Sequence, residues 1–425
     1  LLFLLFSWME KFGAFFSENI FDPLRLKVTA AFGGMFLFWM LVIGAMGLIL
    51  LLLFLFRKPL GRIKLVIKIV DFLKGILDGL KSIYKMKRKW EFIIHSFLIW
   101  FLYILMTWVI VFALKETSSL TLIDGIFLLV IGGLGVKTFY DAGEFKVLTP
   151  HFNGQAKTID GVLSSEDITI QPQMAMAFIS SDDRRAHWSG EGQARQGAIY
   201  GFDLNAANPQ LVNLTEDFPR QLNPHGIGWW MGPNGDLSLF VVNHRDDGHF
   251  VEIFDYRDGQ LAHRQSVSGG LMHSPNDVLP VGPDAFYVTN DHGNASELGR
   301  MAEEYLQLAR SYVLYYDGKN FRKVAEKLAY ANGINTSPDG RTVYVAATVD
   351  QKIFVYDRDL NSGELSPRDT IEAGTGVDNI EIDQRGNLWI GCHPTLLTFV
   401  KYSKDPGALS PSQVLKVDIQ AAGQD

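Results

Sequence analysis

Short groups of Asn, Asp and Glu recur between residues 166 and 379 of this chain, each beside an apolar, strand-like run, and two histidines fall between them. These residues are Glu166-Asp167, His225, His244, Asn276-Asp277, Asn332 and Asp378-Asn379. Ca²⁺ takes about six to eight oxygen ligands at loose geometry, so oxygen donors from separate segments suit it. A divalent ion held among histidines is also a catalytic centre. We therefore expect the function to lie in the C-terminal two thirds of the chain.

Repeated turn-and-strand segments would have to bring these groups together. Turns rich in Gly, Asp, Pro and Asn lead into alternating apolar residues at 231–243, 281–291, 337–347 and 383–391, and a second strand-like series follows at 199–205, 251–259, 312–320, 352–360 and 397–405. A period of about 45–60 residues with several strands in each unit is typical of a β-propeller. A β-sandwich is the alternative, but it would not explain the long period. Residues 299–312 interrupt the pattern and predict a helical insertion.

The two parts of the chain differ in charge. Residues 1–137 contain 16 Lys and Arg against 8 Asp and Glu, whereas residues 138–425 contain 23 against 38. This asymmetry indicates a basic, membrane-facing part and an acidic, soluble domain. Binding of nucleic acid depends on Lys and Arg side chains that contact its phosphates, so we do not expect the acidic domain to bind nucleic acid. The single cysteine, Cys392, allows no internal disulfide and is interpreted as a buried apolar residue.

Residues 1–137 are predicted to form a helical transmembrane region. Residues 35–56 carry no charge over 22 positions, which is long enough to cross a bilayer. Residues 92–114 are a second candidate span, and residues 120–136 are a weaker third one. Between the first two spans, residues 57–89 hold eleven Lys and Arg against two Asp. This pattern favours a basic amphipathic helix on the cytoplasmic membrane surface over a solvated connector.

The membrane-like part carries one family resemblance. The segment from Trp90 to Leu122 resembles the membrane region of the lysylphosphatidylglycerol synthase/flippase-like family, and only about residues 1–135 could belong to it. No catalytic residue of that family has a match here.

A second resemblance is more extensive. Similarity to the paraoxonase/arylesterase family of Ca²⁺-dependent esterases and lactonases is carried by NPHGIG (223–228), VVNH (241–244), SPNDVLPVGPDAFYVTNDH (274–292), ANGINTSPDGRTVYVA (331–346), VDNI (377–380) and LWIGCHP (388–394). It covers about residues 136–419, with motifs in the same order and at the same spacing. It implies a six-bladed β-propeller with two calcium ions in the central tunnel. Because the chain stops at Asp425, soon after SQVLKVDI, we expect an open ring or an incomplete last blade.

The resemblance also implies roles for the matching residues. The catalytic calcium would be bound by Glu166, Asn276, Asn332, Asp378 and Asn379. The structural calcium would be bound by Asp167, Asp277 and the backbone carbonyl of Ile227. The histidine dyad of the family matches His225 and His244. His292 and His393 lie in matched motifs and are candidates for the pocket mouth.

The residues themselves allow a chemical account. A Ca²⁺ ion would contact the carbonyl oxygen of an ester or lactone and stabilise the oxyanion while a base takes a proton from water. His225 is the preferred base, with His244 orienting it. Asp378 is a rival base, since a carboxylate beside the metal can also accept a proton. Four other histidines are interpreted as structural hydrogen-bonding groups: His187, His249, His263 and His273.

We therefore expect a membrane-anchored, calcium-dependent hydrolase of carboxylic esters and lactones, with phosphotriesters as side substrates. The alternative is a non-catalytic, ligand- or partner-binding propeller on a lipid-handling membrane protein. If residues 57–89 are cytoplasmic and both later spans cross the bilayer, the propeller is cytoplasmic, where calcium is scarce. If residues 120–136 do not cross fully, the propeller is extracytoplasmic, and this is the arrangement that we favour.

Overall fold

The computed structural model describes residues 89–111, 122–189 and 194–419. The chain divides into two compact units, Leu1–Ile126 and Phe127–Asp425. Helices α1 (Lys89–Val111) and α2 (Leu122–Asp141) occupy the second and third predicted spans. The predicted span at 35–56 and nearly all of the basic segment 57–89 lie outside the described residues. Within the ranges that are described, no helix is both long and apolar enough to cross a membrane.

Nineteen strands in the described residues form five antiparallel sheets, each built from strands that follow one another in the chain. The first sheet comprises β1 (Ser165–Gln171), β2 (Met176–Ser181), β3 (Ala198–Asp203) and β4 (Leu211–Asn213). The second comprises β5 (Pro224–Met231), β6 (Leu237–Arg245), β7 (Gly248–Arg257) and β8 (Gln260–Val267). The third comprises β9 (Pro275–Pro280), β10 (Phe286–Asn290), β11 (Ser311–Tyr316) and β12 (Phe321–Leu328).

The fourth sheet comprises β13 (Ala331–Thr336), β14 (Thr342–Ala347), β15 (Lys352–Arg358) and β16 (Leu365–Glu372). The fifth has only three strands, β17 (Gly376–Ile382), β18 (Leu388–His393) and β19 (Gln413–Val417). Three short helices lie between strands: α3 (Arg184–Ser189), α4 (Glu297–Tyr305) and α5 (Leu396–Lys404). The predicted helical insertion is α4, which begins after Ser296, whose side chain accepts a hydrogen bond from the Gly299 N–H.

The predicted turn-and-strand segments are confirmed in all cases but one. Each segment of the first series leads into the second strand of a sheet, and four of the five in the second series form third strands. The exception is 397–405, predicted as a strand, which is helix α5 instead. Lys401 and Lys404 lie in its last turn, where positive charge is favourable beside the negative end of the helix dipole. Its Phe399 stacks on the His393 ring, a tertiary contact that the local strand pattern could not predict.

The five innermost strands, β1, β5, β9, β13 and β17, follow one another around a common axis and form a ring. The N–H of Ile227 on β5 donates to Asp167 Oδ2 on β1 (2.8 Å), and the N–H of Ile334 on β13 donates to Asp277 Oδ2 on β9 (2.8 Å). Asn335 Nδ2 on β13 donates to the Ile380 carbonyl on β17 (2.7 Å). The architecture is therefore a mainly β propeller, and the sandwich alternative is excluded.

The predicted number of six blades is wrong for the described residues, which form five. After β18, the described chain supplies only α5 and β19, so no strands remain for a sixth sheet. Within the described residues the fifth sheet has three strands, one fewer than each of the other four. Asn379 Nδ2 on β17 donates directly to the Glu166 carbonyl on β1 at 3.0 Å, so the fifth inner strand meets the first.

Apolar side chains hold neighbouring sheets together. One buried apolar cluster lies between each two successive sheets, from the first sheet to the fifth. In chain order, these clusters are centred on Phe178 and Phe254, on Phe240 and Phe286, on Tyr287 and Val343, and on Tyr344 and Ile390. Polar contacts join the fifth sheet to the first, at the position called the seam below. Beyond the Asn379 hydrogen bond, Arg185 on α3 donates to the Tyr402 carbonyl on α5 at 2.9 Å and lies over the Tyr402 ring.

Candidate active site and metal centre

The predicted metal ligands and His225 lie at the beginning of the five inner strands, whereas His244 and His393 are on second strands and His292 follows one. Glu166 and Asp167 are on β1, His225 and Ile227 on β5, Asn276 and Asp277 on β9, Asn332 on β13, and Asp378 and Asn379 on β17. Consecutive strands around a propeller present equivalent ends to the axis, so this common position brings the groups to one end of the central tunnel.

A β-bulge or other register irregularity accompanies these residues in every sheet. Four inner strands carry the irregularity themselves. The regular pairing shifts between positions 165 and 168 in β1, between 224 and 227 in β5, between 331 and 334 in β13, and between 377 and 380 in β17. In the third sheet the shift is between Val288 and Asn290 on β10, opposite the beginning of β9. A regular strand sends adjacent side chains to opposite faces. A bulge changes the direction of one of these side chains, so two adjacent candidate ligands can face the same site.

Within the described part of the chain, five buried side-chain oxygens at this end of the tunnel have no hydrogen-bond partner. They are Glu166 Oε2, Asn276 Oδ1, Asn332 Oδ1, Asp378 Oδ1 and Asn379 Oδ1. A buried oxygen without a donor is costly, and an ion is one of the few explanations. All five are hard donors of the type that Ca²⁺ prefers. The set coincides with the predicted ligands of the catalytic calcium.

Hydrogen bonds fix the three amides so that their oxygens are free. Asn276 Nδ2 donates to Asp291 Oδ2 (3.3 Å), and Asn332 Nδ2 donates to Thr348 Oγ1 (3.1 Å). Asn379 Nδ2 donates across the seam to the Glu166 carbonyl. Because each NH₂ group is already engaged, the carbonyl oxygen is the group left to face a ligand. Within the described chain, no three His, Cys, Asp or Glu side chains form a metal-binding group by themselves. The candidate centre therefore depends on its amides.

Two glycines allow the inner strands to approach closely at this point. A side chain at Gly226 would place its Cβ 2.4 Å from Asp277 Cα and 2.5 Å from Asp277 Oδ1. A Cβ at Gly333 would lie 2.5 Å from the Asp378 carbonyl oxygen and 2.8 Å from Asn379 Cα. Both glycines belong to the NPHGIG and NGIN segments, which explains the need for glycine beside the predicted ligands.

A second acidic group lies among the same strands. Asp167 and Asp277 are buried, and each accepts backbone N–H groups from its own strand and from the next inner strand. Burial raises the pKa of both carboxyls well above the usual value; repulsion from Asp277 adds to the shift at Asp167, and repulsion from Glu166 adds to it at both. Ile227, the predicted carbonyl ligand, contacts Asp167 through its N–H. A cation is the natural counter-charge for this pair.

Glu381 on β17 is a third carboxylate in this region, and our sequence analysis missed it. Burial raises its pKa to about 7, against the hydrogen bonds that it makes with Thr169 and with the backbone of Ile170. Its charge also acts on both Asp167 and Asp277. The only signal in the sequence is its position in IEID, directly after the Asp378-Asn379 pair.

The two predicted dyad histidines are in contact. His225 Nδ1 lies 2.8 Å from His244 Nε2, and His225 Nε2 lies 3.3 Å from Glu166 Oε1. Burial, together with the neighbouring His225 and His249 rings, lowers the pKa of His244 well below its usual value, so this ring is neutral at pH 7. Although burial opposes ionisation of Glu166, its contacts with His225 and Arg184 bring the pKa of this carboxyl to about 2. The His225 ring therefore lies between the neutral His244 ring and an ionised carboxylate.

Of the four histidines interpreted as structural, three make local contacts. His187 Nδ1 lies 3.2 Å from Asp182 Oδ1, and His263 Nε2 lies 2.9 Å from the buried Glu252. The backbone carbonyl of His273 accepts a hydrogen bond from Arg300. His249 is the exception, since its Nδ1 lies 2.9 Å from His244 Nδ1 and extends the dyad to three rings. Our sequence analysis also did not identify Arg184, whose guanidinium lies 3.8 Å from Glu166 Oε2.

His393 and His292 each support a neighbouring carboxylate. His393 Nε2 lies 2.7 Å from Asp378 Oδ2, while its ring stacks on Phe399 with 3.7 Å between centroids. His292 lies 2.6 Å from Asp291 Oδ1 and 3.0 Å from Glu304 Oε1. Burial disfavours its charge, but these two hydrogen bonds raise the pKa of His292 to about 9. Both rings contact acidic groups around the ligand set, whereas lining of the pocket mouth stays a prediction.

Comparison with known proteins agrees with this geometry. The profile of the arylesterase family matches residues 144–424. Serum paraoxonase/arylesterase 1 of Homo sapiens is 38% identical over 261 residues, which cover 60% of this chain and 72% of that protein. Serum paraoxonase/arylesterase 2 of Gallus gallus is 35% identical over 259 residues, with the same coverage. Serum paraoxonase/lactonase 3 of Homo sapiens is 34% identical over 260 residues, again covering 60% and 72%. The matched region contains every predicted site residue.

Proposed function

Because this chain belongs to the arylesterase family of ester and lactone hydrolases, we propose that it acts on carboxylic esters and lactones by a calcium-dependent reaction at the mouth of the central tunnel. The observation that carries the proposal is the set of five buried oxygens that have no hydrogen-bond partner among the described residues. Two carboxylates and three amides supply enough charge and enough hard oxygens for Ca²⁺, with room for water or substrate to complete the coordination.

The ion and the protein have separate roles in the proposed centre. The ion would be held by Glu166, Asn276, Asn332, Asp378 and Asn379. When bound there, Ca²⁺ supplies positive charge that polarises the substrate carbonyl and stabilises the developing negative charge on its oxygen. The ligand amides are held by hydrogen bonds to Asp291, Thr348 and the Glu166 backbone, so the site is arranged before substrate arrives.

His225 is the proposed general base. Its Nδ1 is engaged by His244 at 2.8 Å, and its Nε2, 3.3 Å from Glu166 Oε1, is the nitrogen on the side of the proposed ion and substrate. A water molecule attacks the carbonyl carbon as Nε2 takes one of its protons. The same nitrogen then returns the proton to the departing alcohol oxygen as the ester C–O bond breaks. Asp378 is less suited, because His393 occupies its Oδ2 and its Oδ1 belongs to the ligand set.

Asp167 and Asp277 are proposed to hold a second, structural ion together with the Ile227 carbonyl. Two buried carboxylates of raised pKa destabilise the fold when both are charged and no cation is present. Membrane attachment through the N-terminal region, with the propeller on the extracytoplasmic side, is part of the proposal. It rests on the apolar segments of the sequence, and protease protection in sealed vesicles would test it.

Hydrolysis by the purified protein tests the proposed function. We expect turnover of phenyl acetate and of a simple δ-lactone, loss of turnover on chelation, and recovery with added Ca²⁺. His225→Gln should lower kcat by about 10²- to 10⁴-fold, the usual contribution of a general base, while the protein is still stabilised by Ca²⁺. Full activity after complete metal removal would overturn calcium dependence, and undiminished activity of His225→Gln would overturn the role of this residue.

A further inference from the structure

The end of helix α2 and the residues after it contact the third and fourth sheets. This segment, residues 141–146, is called the strap below. The Asp141 carboxylate accepts a hydrogen bond at 3.0 Å from Gln307 Nε2, which follows α4 in the connection between β10 and β11. The Asp141 carbonyl accepts another from the side chain of Gln351, between β14 and β15. The beginning of the strap is therefore fixed to both sheets.

The strap continues onto the fifth sheet. Lys146 Nζ donates at 2.8 Å to the Gly374 carbonyl, just before β17 begins. Gly143 has a φ of +77°, and a Cβ at this position would lie 2.2 Å from the Pro394 carbonyl oxygen. Glycine alone combines this backbone conformation with so close an approach. The strap is thus packed closely against the connection between β18 and α5.

The strap also caps the first turn of α5. A helix leaves its first N–H groups without partners inside the helix, and the N-cap side chain usually accepts from one of them. The N-cap residue Thr395 makes no such hydrogen bond. Instead, the Glu144 carboxylate accepts from the Thr398 N–H at 3.0 Å and from the Thr398 hydroxyl at 2.7 Å. The Ala142 carbonyl accepts from the Leu396 N–H at 2.9 Å. A carboxylate at this end of the helix also complements the helix dipole.

Helix α5 in turn supports the candidate metal centre. The Phe399 ring stacks on His393 with 3.7 Å between centroids, and His393 Nε2 lies 2.7 Å from Asp378 Oδ2. The first residue of α5 also packs against the first residue of β17, since a Cβ at Gly376 would lie 2.5 Å from Leu396 Cδ2. Asp378 follows Gly376 by two positions on the same strand. The position of α5 therefore acts on this candidate ligand through a side-chain contact and through its strand.

We propose that Glu144 is a positioning residue for the metal centre: by capping α5 it holds His393 against Asp378 and so raises the affinity of the centre for Ca²⁺. This inference rests on the proposed function, since it assigns the means by which one ligand of that centre is held in place.

The coupling between the cap and the ion must act in both directions. If Ca²⁺ binds more tightly when the strap caps α5, then bound Ca²⁺ stabilises the cap by the same factor. One helix cap changes an equilibrium by about 3- to 10-fold, which is the size of the effect that we assign to Glu144. It is smaller than the effect of about 10- to 100-fold for loss of a direct partner of a ligand, because Glu144 acts through α5.

Two substitutions of Glu144 and one matched control test the proposal by isothermal titration calorimetry with Ca²⁺ alone. Glu144→Ala removes the cap, so we expect the Kd for Ca²⁺ to rise by about 3- to 10-fold. Glu144→Gln keeps an oxygen that accepts from the Thr398 N–H, and it should recover most of the lost affinity. The exposed Glu216→Ala should bind Ca²⁺ as wild type does.

A double-mutant cycle separates positioning of Asp378 from a general loss of stability. In His393→Phe the contact with Asp378 is already lost, so Glu144→Ala should raise the Kd by about twofold or less in that background. An unchanged Kd in Glu144→Ala would overturn the proposal. An equal rise in the wild-type and His393→Phe backgrounds would also overturn it, since the cap would then act independently of His393.

Hydrogen exchange of the wild-type protein covers the case in which a variant does not fold. The Leu396 and Thr398 N–H groups donate to the strap, so mass spectrometry of peptides covering 395–400 reports on the cap. Ca²⁺ should slow exchange there by about 3- to 10-fold. The first turn of α4 is the reference, because the Gly299 N–H is capped locally by Ser296. Equal slowing of the two helix ends would refute the coupling.

The outcomes for this inference and for the proposed function can be told apart. Calcium binding that depends on Glu144, in a protein without esterase or lactonase activity, would refute the proposed function alone. Calcium-dependent hydrolysis with a Kd that does not change in Glu144→Ala would refute the inference alone. Absence of calcium binding by the wild-type protein would refute both.

Discussion

Asn379 on the last inner strand donates through Nδ2 to the backbone carbonyl of Glu166 on the first, at 3.0 Å. The side-chain oxygens Asn379 Oδ1 and Glu166 Oε2 are both buried and have no hydrogen-bond partner among the described residues. One contact thus closes the ring of inner strands and sets two candidate ligands beside each other. Closure of the propeller and binding of the ion should therefore depend on each other.

The first prediction concerns this coupling. Ca²⁺ at about 100 times its Kd should stabilise the wild-type fold by about 2.7 kcal/mol through mass action. Asn379→Ala removes a ligand and the seam hydrogen bond, so we expect lower stability without calcium and a smaller increase in Tm with it. Differential scanning calorimetry with calcium and with chelator measures both. The exposed Asn361→Ala is the matched control, and an equal calcium response in the two variants would contradict the coupling.

A second prediction follows from the close approach at Gly226. Gly226→Ala would force the new Cβ against the backbone and carboxylate of Asp277, with contacts of 2.4 Å and 2.5 Å. We expect a loss of stability of about 1–3 kcal/mol, as for other overpacked sites, together with weaker calcium binding. Gly270→Ala meets no atom within 4 Å and is the control. Thermal unfolding with and without calcium compares them. Equal behaviour of the two would show that the strands are not tightly packed here.

A third prediction separates the hydrogen bond of His393 from its stacking. His393→Phe keeps a ring against Phe399 but leaves Asp378 Oδ2 without its partner, so calcium affinity should fall by about 10- to 100-fold. Phe399→Leu keeps the hydrogen bond and should have a smaller effect. Isothermal titration calorimetry of calcium binding distinguishes the two. A larger loss in Phe399→Leu would mean that stacking, and not the contact with Asp378, is what matters.

A fourth prediction is a pH dependence at His292. Its pKa is raised from 6.5 to about 9 in the folded protein, since the hydrogen bonds to Asp291 and Glu304 outweigh burial. A raised pKa of a base means that its stabilising effect is fully present below about pH 6.5 and is lost as the pH rises through about 9. The difference in the free energy of unfolding between wild type and His292→Gln should therefore be larger at pH 6 than at pH 10.

Denaturant unfolding at the two pH values measures this difference for His292. Titrating groups that do not contact His292 contribute equally to both proteins and cancel, whereas Asp291 and Glu304 belong to the interaction that is measured. The exposed His151→Gln variant should differ from wild type by the same small amount at both pH values. A His292→Gln difference that does not change with pH would show that the ring is not charged in the native state.

The sequence alone was sufficient for the local features of the fold. Turns of Gly, Asp and Asn followed by alternating apolar residues identified the second strand of four sheets, because such turns and the two-residue period are properties of the local chain. The same reasoning failed at 397–405. This segment has apolar residues that suit either a strand or a helix, and packing of Phe399 on His393 accompanies the helix.

The sequence also suggested the candidate ligand set, through the hard-oxygen residue types beside the strands and through the resemblance to the paraoxonase/arylesterase family, and this assignment stays a prediction. It did not give the number of blades, which depends on contacts between segments more than 200 positions apart, such as Asn379 and Glu166. Nor did it give Glu381 or Arg184, whose relevance comes only from their neighbours in other strands. His249 could have been found by pairing residues across the turn at Asp246 and Asp247.

Only the tertiary structure decided how adjacent ligands could serve one site. By its two-residue period, a regular strand would send Asp378 and Asn379 to opposite faces. The register shift between Val377 and Ile380 removes this restriction, and comparable shifts occur in the other four sheets. The residue types of the site can therefore be found from the sequence. Their convergence depends on irregular pairing with neighbouring strands, and the local sequence does not specify that pairing.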